Sequence, residues 1–159
     1  MNKKELLTLL RKETATTLRV MRAFPVDQAT FKPHERSNDA LGLMKTFVFE
    51  MDLARAHVFD VELDKDRFKT YAPESVDQVI TDFETQAKDA ENRLESAEES
   101  LLSGDASFAG ITFQKDAFLL MMICDQIHHR GQLSVYVRMA GGKVPSIYGP
   151  SADDESTNL

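Results

Sequence analysis

Glycine and proline are scarce in this sequence, seven and five among 159 residues, so long helices joined by few loops are expected. Cysteine is scarcer still: Cys124 stands alone, which rules out an internal disulfide and fits a reducing, cytoplasmic setting. No long apolar run occurs either. The longest charge-free one, AFLLMMIC at 117–124, falls well short of the roughly 20 residues that span a bilayer, so no membrane association is expected. The opening MNKKELLTLL is charged and lacks the uninterrupted apolar stretch and small-residue cleavage site of a signal peptide. Positive charge is in deficit, with a formal net charge of −7. Such a chain cannot build the basic stripe that holds nucleic-acid phosphates. Much of the excess sits between Ser75 and Ser103, where Asp77, Asp82, Glu84, Asp89, Glu91, Glu95, Glu98 and Glu99 face only Lys88 and Arg93. That pattern reads as a solvated helix face, with an acidic docking surface as the alternative.

What is present is helical periodicity. Leu6, Leu9, Leu10, Leu18 and Met21 recur at helical spacing from about Lys3 to Ala23, with Asn2 and Glu5 placed as a capping box and Pro25 as a stop. A second helix, capped by Ser37 or Asn38, reaches about Phe59 and is apolar around most of its circumference. A helix of that kind packs on more than one side. The charged segment DVELDKDRFKTYAP is expected to be a loop. A third helix, from Glu74 or Ser75 to Gly104, carries one narrow apolar stripe, Val76 through Leu101. The fourth runs from about Gln114 to Ala140 and ends at Gly141 and Gly142. The expected fold is all-α, a four-helix bundle over residues 1–150, followed by a disordered acidic tail over 151–159.

Chemistry concentrates on the fourth helix. At 100° per residue, Phe118, Met121, Met122, Asp125, His129, Gln132 and Tyr136 all fall within about 40° of one line. The polar members interrupt an apolar stripe instead of forming a solvent face. Burying a carboxylate and an imidazole costs several kcal/mol unless they are paired or bind a metal. Three readings follow: a polar seam that fixes bundle register, two donors on one side of an ion, or a dimer interface. On the second helix, Thr46, Glu50 and His57 share one face. Glu50 can complete a small open site with Asp125 and His129, whereas His57 lies about 10 Å further along and reads as a surface or capping residue. His128 points off the line, toward a neighbouring helix or subunit. Arg130 and Arg138 read as surface salt-bridge residues with a possible role in holding anions, and Cys124 as a small buried filler.

The stretch IHHRGQLSVYVRMAGGKVPSIYGPS, residues 127–151, resembles the C-terminal signature of the DinB/YfiT-like metalloenzyme superfamily. The segment FKPHERSNDALGLMKTFVFE resembles that family's entry into the second helix. The resemblance implies a four-helix bundle, commonly dimeric, with a divalent metal such as nickel or zinc; manganese and iron also suit a harder ligand set. Some branches are thiol-dependent transferases or isomerases that use a low-molecular-weight thiol. The family's site takes one histidine from the second helix and two, four residues apart, from the fourth. Here the corresponding positions are Thr46, Asp125 and His129, so two of three expected histidines are missing, and Glu50 is the candidate substitute. His128, Gln132, Arg130 and Tyr136 would lie around the pocket. A metal-dependent enzyme on small molecules is one expectation. A metal-free, non-catalytic dimer with a stress-associated or binding role is the other.

Overall fold

The computed structural model describes residues 1–154, and four long helices carry the fold: α1 (Lys3–Arg22), α2 (Ala40–Phe59), α4 (Val76–Ser96) and α5 (Lys115–Met139). A single helical turn, α3 (Arg67–Thr70), interrupts the connection between α2 and α4. α1 and α2 each pack against both α4 and α5, so α1 and α2 lie diagonally across the bundle. The connection between them must therefore cross one end, which accounts for its length. Backbone bonds from Ala40 and Leu41 to the carbonyls of Phe31 and Ala29 tie that crossing to the start of α2.

Three of the four long helices begin where the sequence supplies an acceptor. The Asn2 side chain accepts from the Glu5 amide, and the Glu5 carboxylate accepts from the Asn2 amide, the capping box expected from sequence. Asp39, one residue past the expected cap, accepts from Gly42 at 2.7 Å. Ser75 accepts from Gln78. Between the helices, Phe47, Phe83, Phe118, Met44, Met51 and Leu119 are fully enclosed. Each such side chain stabilises the fold by about 1.5–3 kcal/mol on transfer from water.

Two expectations need correction. The third long helix does not reach Gly104. It ends at Ser96, followed by a 3-10 turn (Glu99–Ser103) and an antiparallel hairpin, β1 (Asp105–Phe108) and β2 (Ile111–Gln114). Acidic residues at Glu95, Glu98 and Glu99 oppose the negative end of a helix. The ammonium of Lys3 takes the terminal carbonyls of Glu95 and Ala97 at 3.2 and 2.6 Å. The hairpin turns on Ala109 and Gly110, both at positive φ, the two-residue geometry that matches strand twist. The charged segment after α2 is the second correction, since it is not only a loop. It lays α3 and Tyr71 over the outer face of α2, with Phe49 4.7 Å from the Phe68 ring and 5.8 Å from the Tyr71 ring. No residue of α2 is fully exposed. Its apolar circumference is thus accounted for largely within the chain.

At the other terminus, Gly142 packs so closely that a Cβ there would lie 2.6 Å from the Ala23 carbonyl. Past it, Asp153 accepts from Arg138 and from the Val144 amide, which places residues up to 154 against α5. The remainder of the acidic tail, 155–159, lies outside the described residues. No helix among the described residues is long and apolar enough to cross a membrane.

Candidate metal centre

α2 and α5 pack along their length, and the line of polar residues on α5 meets α2 at Glu50. Glu50, Asp125 and His129 each offer one ligand atom, and the three atoms lie within 4.8 Å of one another. Asp125 and His129 converge because positions four apart on a helix share a face. Glu50 reaches them from a buried position between Phe49 and Met51, and its side chain is 6 % exposed. His129 Nδ1 lies 2.5 Å from Glu50 Oε1 and 3.8 Å from Asp125 Oδ1. The Phe47 ring meets the imidazole edge-on at 6.4 Å. Asp125 forms the open side of the group, with its side chain 46 % exposed.

The electrostatics of this group are those of a site short of positive charge. Burial pushes the Glu50 carboxyl up to about 9, and the charge and hydrogen-bonding capacity of nearby Asp125 push the same way. Burial lowers His129, with Asp125 opposing that shift and His128 adding to it. Both shifts favour neutral forms, so a protonated Glu50 donates to Nδ1 of a neutral His129. The second oxygen of Glu50, Oε2, is buried and has no hydrogen-bond partner. A buried carboxyl oxygen without a partner costs about 1–3 kcal/mol, and a cation bound beside it removes that cost. Deprotonated Glu50 and Asp125 with neutral His129 carry a charge of −2, which balances a divalent ion. Two carboxylates and one imidazole suit Mn, Fe, Zn or Ni within the ordinary preferences of O and N ligands. The residues present therefore fit a divalent metal.

Other candidate residues are placed differently. The Thr46 hydroxyl donates to the Leu43 carbonyl of its own helix at 2.6 Å. Gln132, expected on the buried line, is exposed and bonds to His128, which is also exposed. Tyr136 is buried beyond the group, with its hydroxyl donating to the Asn38 carbonyl and its ring edge-on to Phe31. Cys124 is exposed, not a buried filler. His57 is neither a cap nor a surface residue, since its ring packs on Phe108 and Phe118. Burial there lowers its pKa. Arg130 departs furthest from expectation. It is 1 % exposed and turns away from the metal group toward α1. There it pairs with Glu13 at 2.8 Å and donates to the Tyr148 hydroxyl at 2.5 Å.

With this geometry in hand, comparison with known proteins gives a consistent result. The DinB family model matches residues 1–158. The uncharacterized protein YrdA of Bacillus subtilis (strain 168) is 42 % identical over 48 residues, which span 30 % of this chain and 29 % of that protein. The crystal structure of a DinB-like protein of Bacillus cereus ATCC 10987 superimposes with a TM-score of 0.82 at 19 % identity, covering 93 % of this chain and all of that one. A second, the DinB-like protein YjoA of Bacillus subtilis, gives 0.71 at 21 % identity, covering 91 % and 98 %. At these identities the two structures speak for the fold.

Proposed function

The chain belongs to the DinB family, and from that premise we propose that Glu50, Asp125 and His129 hold a divalent cation in an enzyme of the thiol-dependent transferase or hydrolase type. One observation carries the reading: the unpartnered Glu50 Oε2, buried beside two further donors. A bound ion would supply Lewis-acid activation of a thiol or water, lowering its pKa so that it attacks as the anion. The chain's own residues do the rest. Phe47 fixes the His129 ring, packing around Glu50 excludes water from the inner side, and half-exposed Asp125 leaves the outer side open to a small molecule. A reducing cytoplasmic setting, with the Cys124 thiol exposed, belongs to the same proposal.

A second reading has its own support. In the metal-free state the Glu50–His129 hydrogen bond already makes a neutral pair, which suits a non-catalytic seam. Elemental analysis of untagged protein separates the two. Close to one equivalent of Ni, Zn, Mn or Fe, lost in both His129→Ala and Asp125→Asn, is the expected result. Metal-free protein that stays so after incubation with each ion at excess would leave only the seam.

The proposal also includes a homodimer through α5. Along its outer face Ala117, Cys124, His128, Gly131, Val135 and Met139 are exposed and carry no formal charge, and interface centres are depleted of charge in the same way. A two-fold contact would set this face of one helix against the same face of its copy. Val135→Asp is expected to convert a dimer to a monomer in size-exclusion chromatography with light scattering. A wild-type monomer at high concentration would remove the dimer from the proposal.

A further inference from the structure

On the side of the bundle formed by α2, α3 and α4, away from α5, a cleft of about 230 Å³ is lined by Arg55, Arg67, Asp82, Thr85, Gln86 and Asp89. That is roughly eight times the space one water occupies in the liquid. Asp52 lies behind it, 9 % exposed. We propose that this cleft binds a free α-amino acid, holding the carboxylate on the two arginines and the ammonium on Gln86 and Asp82.

The cleft leaves several of its polar atoms unsatisfied. Gln86 is 6 % exposed, and its Nε2 donates to Asp52 Oδ1 at 2.8 Å. Turning the amide over would set its oxygen against the Asp52 carboxylate, so Oε1 is the atom left over. It is buried and without a partner. An orphaned buried carbonyl calls for a donor. Asp82 accepts from the Tyr71 hydroxyl at 2.6 Å through one oxygen, and its other oxygen makes no hydrogen bond among the described residues. An ammonium group offers three donors, enough for Gln86 Oε1 and Asp82 together.

The opposite need stands beside it. Arg67 lies over the Tyr71 ring at 4.8 Å. Its Nε is ion-paired with Asp52 Oδ2 at 3.3 Å, but the geometry gives no hydrogen bond, so Nε is buried without a hydrogen-bond acceptor. Arg55 spends Nε on Asp89 at 2.7 Å and Nη1 on Asp52 at 3.3 Å, which leaves Nη2. Two guanidinium edges with free donors are what a carboxylate takes up.

Other occupants match less of this. A metal cation would meet two guanidinium groups, a phosphate would face Asp52, Asp82 and Asp89 and leave Gln86 Oε1 unpaired, and a simple amine would leave both arginines unanswered. A group that is neutral overall but carries an ammonium and a carboxylate on the same carbon satisfies each of them. The volume admits such a head with a small side chain.

The test is calorimetric titration and thermal shift of the full chain with each of the twenty L-amino acids at about 10 mM, in the millimolar range where weak specific binding registers. EDTA is present throughout, so that chelation of a metal by the amino acid is not read as binding. At least one small L-amino acid is expected to bind saturably. Glycine betaine, which has the carboxylate but no N–H, should not bind, and neither should acetate or methylamine alone. Arg67→Gln, on the short α3 segment, should weaken binding at least tenfold without unfolding the protein, and Gln86→Leu should do the same where it folds. Three results would overturn the proposal: no L-amino acid bound, betaine bound as well as glycine, or binding unaltered in Arg67→Gln.

Discussion

Glu50→Gln is expected to weaken metal binding by at least a hundredfold and yet to make the metal-free protein more stable, increasingly so as pH rises. The two effects share one cause. In the fold the Glu50 carboxyl is held up to about 9 by burial and by Asp125, against an ordinary value of 4.5. A group whose folded pKa is raised contributes its full stability only below the unfolded value and loses it as pH rises toward the folded one. Between about pH 4.5 and 9, wild-type protein therefore becomes less stable by the work of keeping that proton or burying the charge. At pH 7 this amounts to about 3 kcal/mol by linkage, and sharing the proton with His129 lowers it. Glutamine is uncharged and can donate to His129 Nδ1 through its amide, so it escapes the penalty. The measurement is chemical denaturation of both proteins in EDTA from pH 5 to 9, where the gap between them should widen with pH. A variant less stable than wild type across that range would mean that Glu50 is a structural partner of His129 and not a held-back ligand. In wild type, an ion must displace the same proton. Its affinity should rise close to tenfold per pH unit below 9, with one proton released per ion bound.

That Glu50 belongs with Asp125 and His129 was legible from spacing alone. Three positions on two helices, each amid apolar neighbours, could meet if the helices packed face to face, and they do. Gln132 shared the same wheel position and yet is exposed. Gln132 lies on the outer edge of that line, toward the exposed His128 that it bonds, while Tyr136, further along the same line, stays buried against Asn38 and Phe31. Arg130 could not be read at all. Nothing local marks an arginine as buried, and its carboxylate partner Glu13 lies on α1, 117 residues earlier. The hairpin did carry a signal, the Gly110 turn between ASF and ITF, but with four residues per strand it was too short to stand against a helical stripe that ran up to Leu101. His57 was misplaced for a related reason, because the ring that packs on it, Phe108, comes from that hairpin.

Arg130→Met should be the most destabilising single change outside the apolar core, costing about 3–5 kcal/mol, the usual consequence of removing one partner from a buried ion pair. For a chain of this size that corresponds to a fall in melting temperature of about 10 °C or more. The loss comes from what stays behind. Glu13, 3 % exposed, is left buried without its guanidinium. Tyr148, whose hydroxyl donates to Glu13 at 2.7 Å and accepts from Arg130, loses the bond that fastens the C-terminal segment to α5 and keeps only the one to α1. The ring of Tyr148 also loses the guanidinium 5.2 Å from its centre. If the penalty is the stranded carboxylate, removing that as well should restore most of the stability, so Glu13→Leu combined with Arg130→Met is expected to recover more than half of it. The double variant should also keep the metal stoichiometry of wild type, because neither residue touches Glu50, Asp125 or His129. Denaturant melts of the two single variants and the double variant close a thermodynamic cycle. A coupling energy below about 1 kcal/mol, or a double variant no better than the worse single, would place the stability of this corner in packing and not in the charge pair. Arg130 sits next to His129 in sequence but about 100° around the helix, where it anchors α5 and the C-terminal segment to α1 while His129 faces α2.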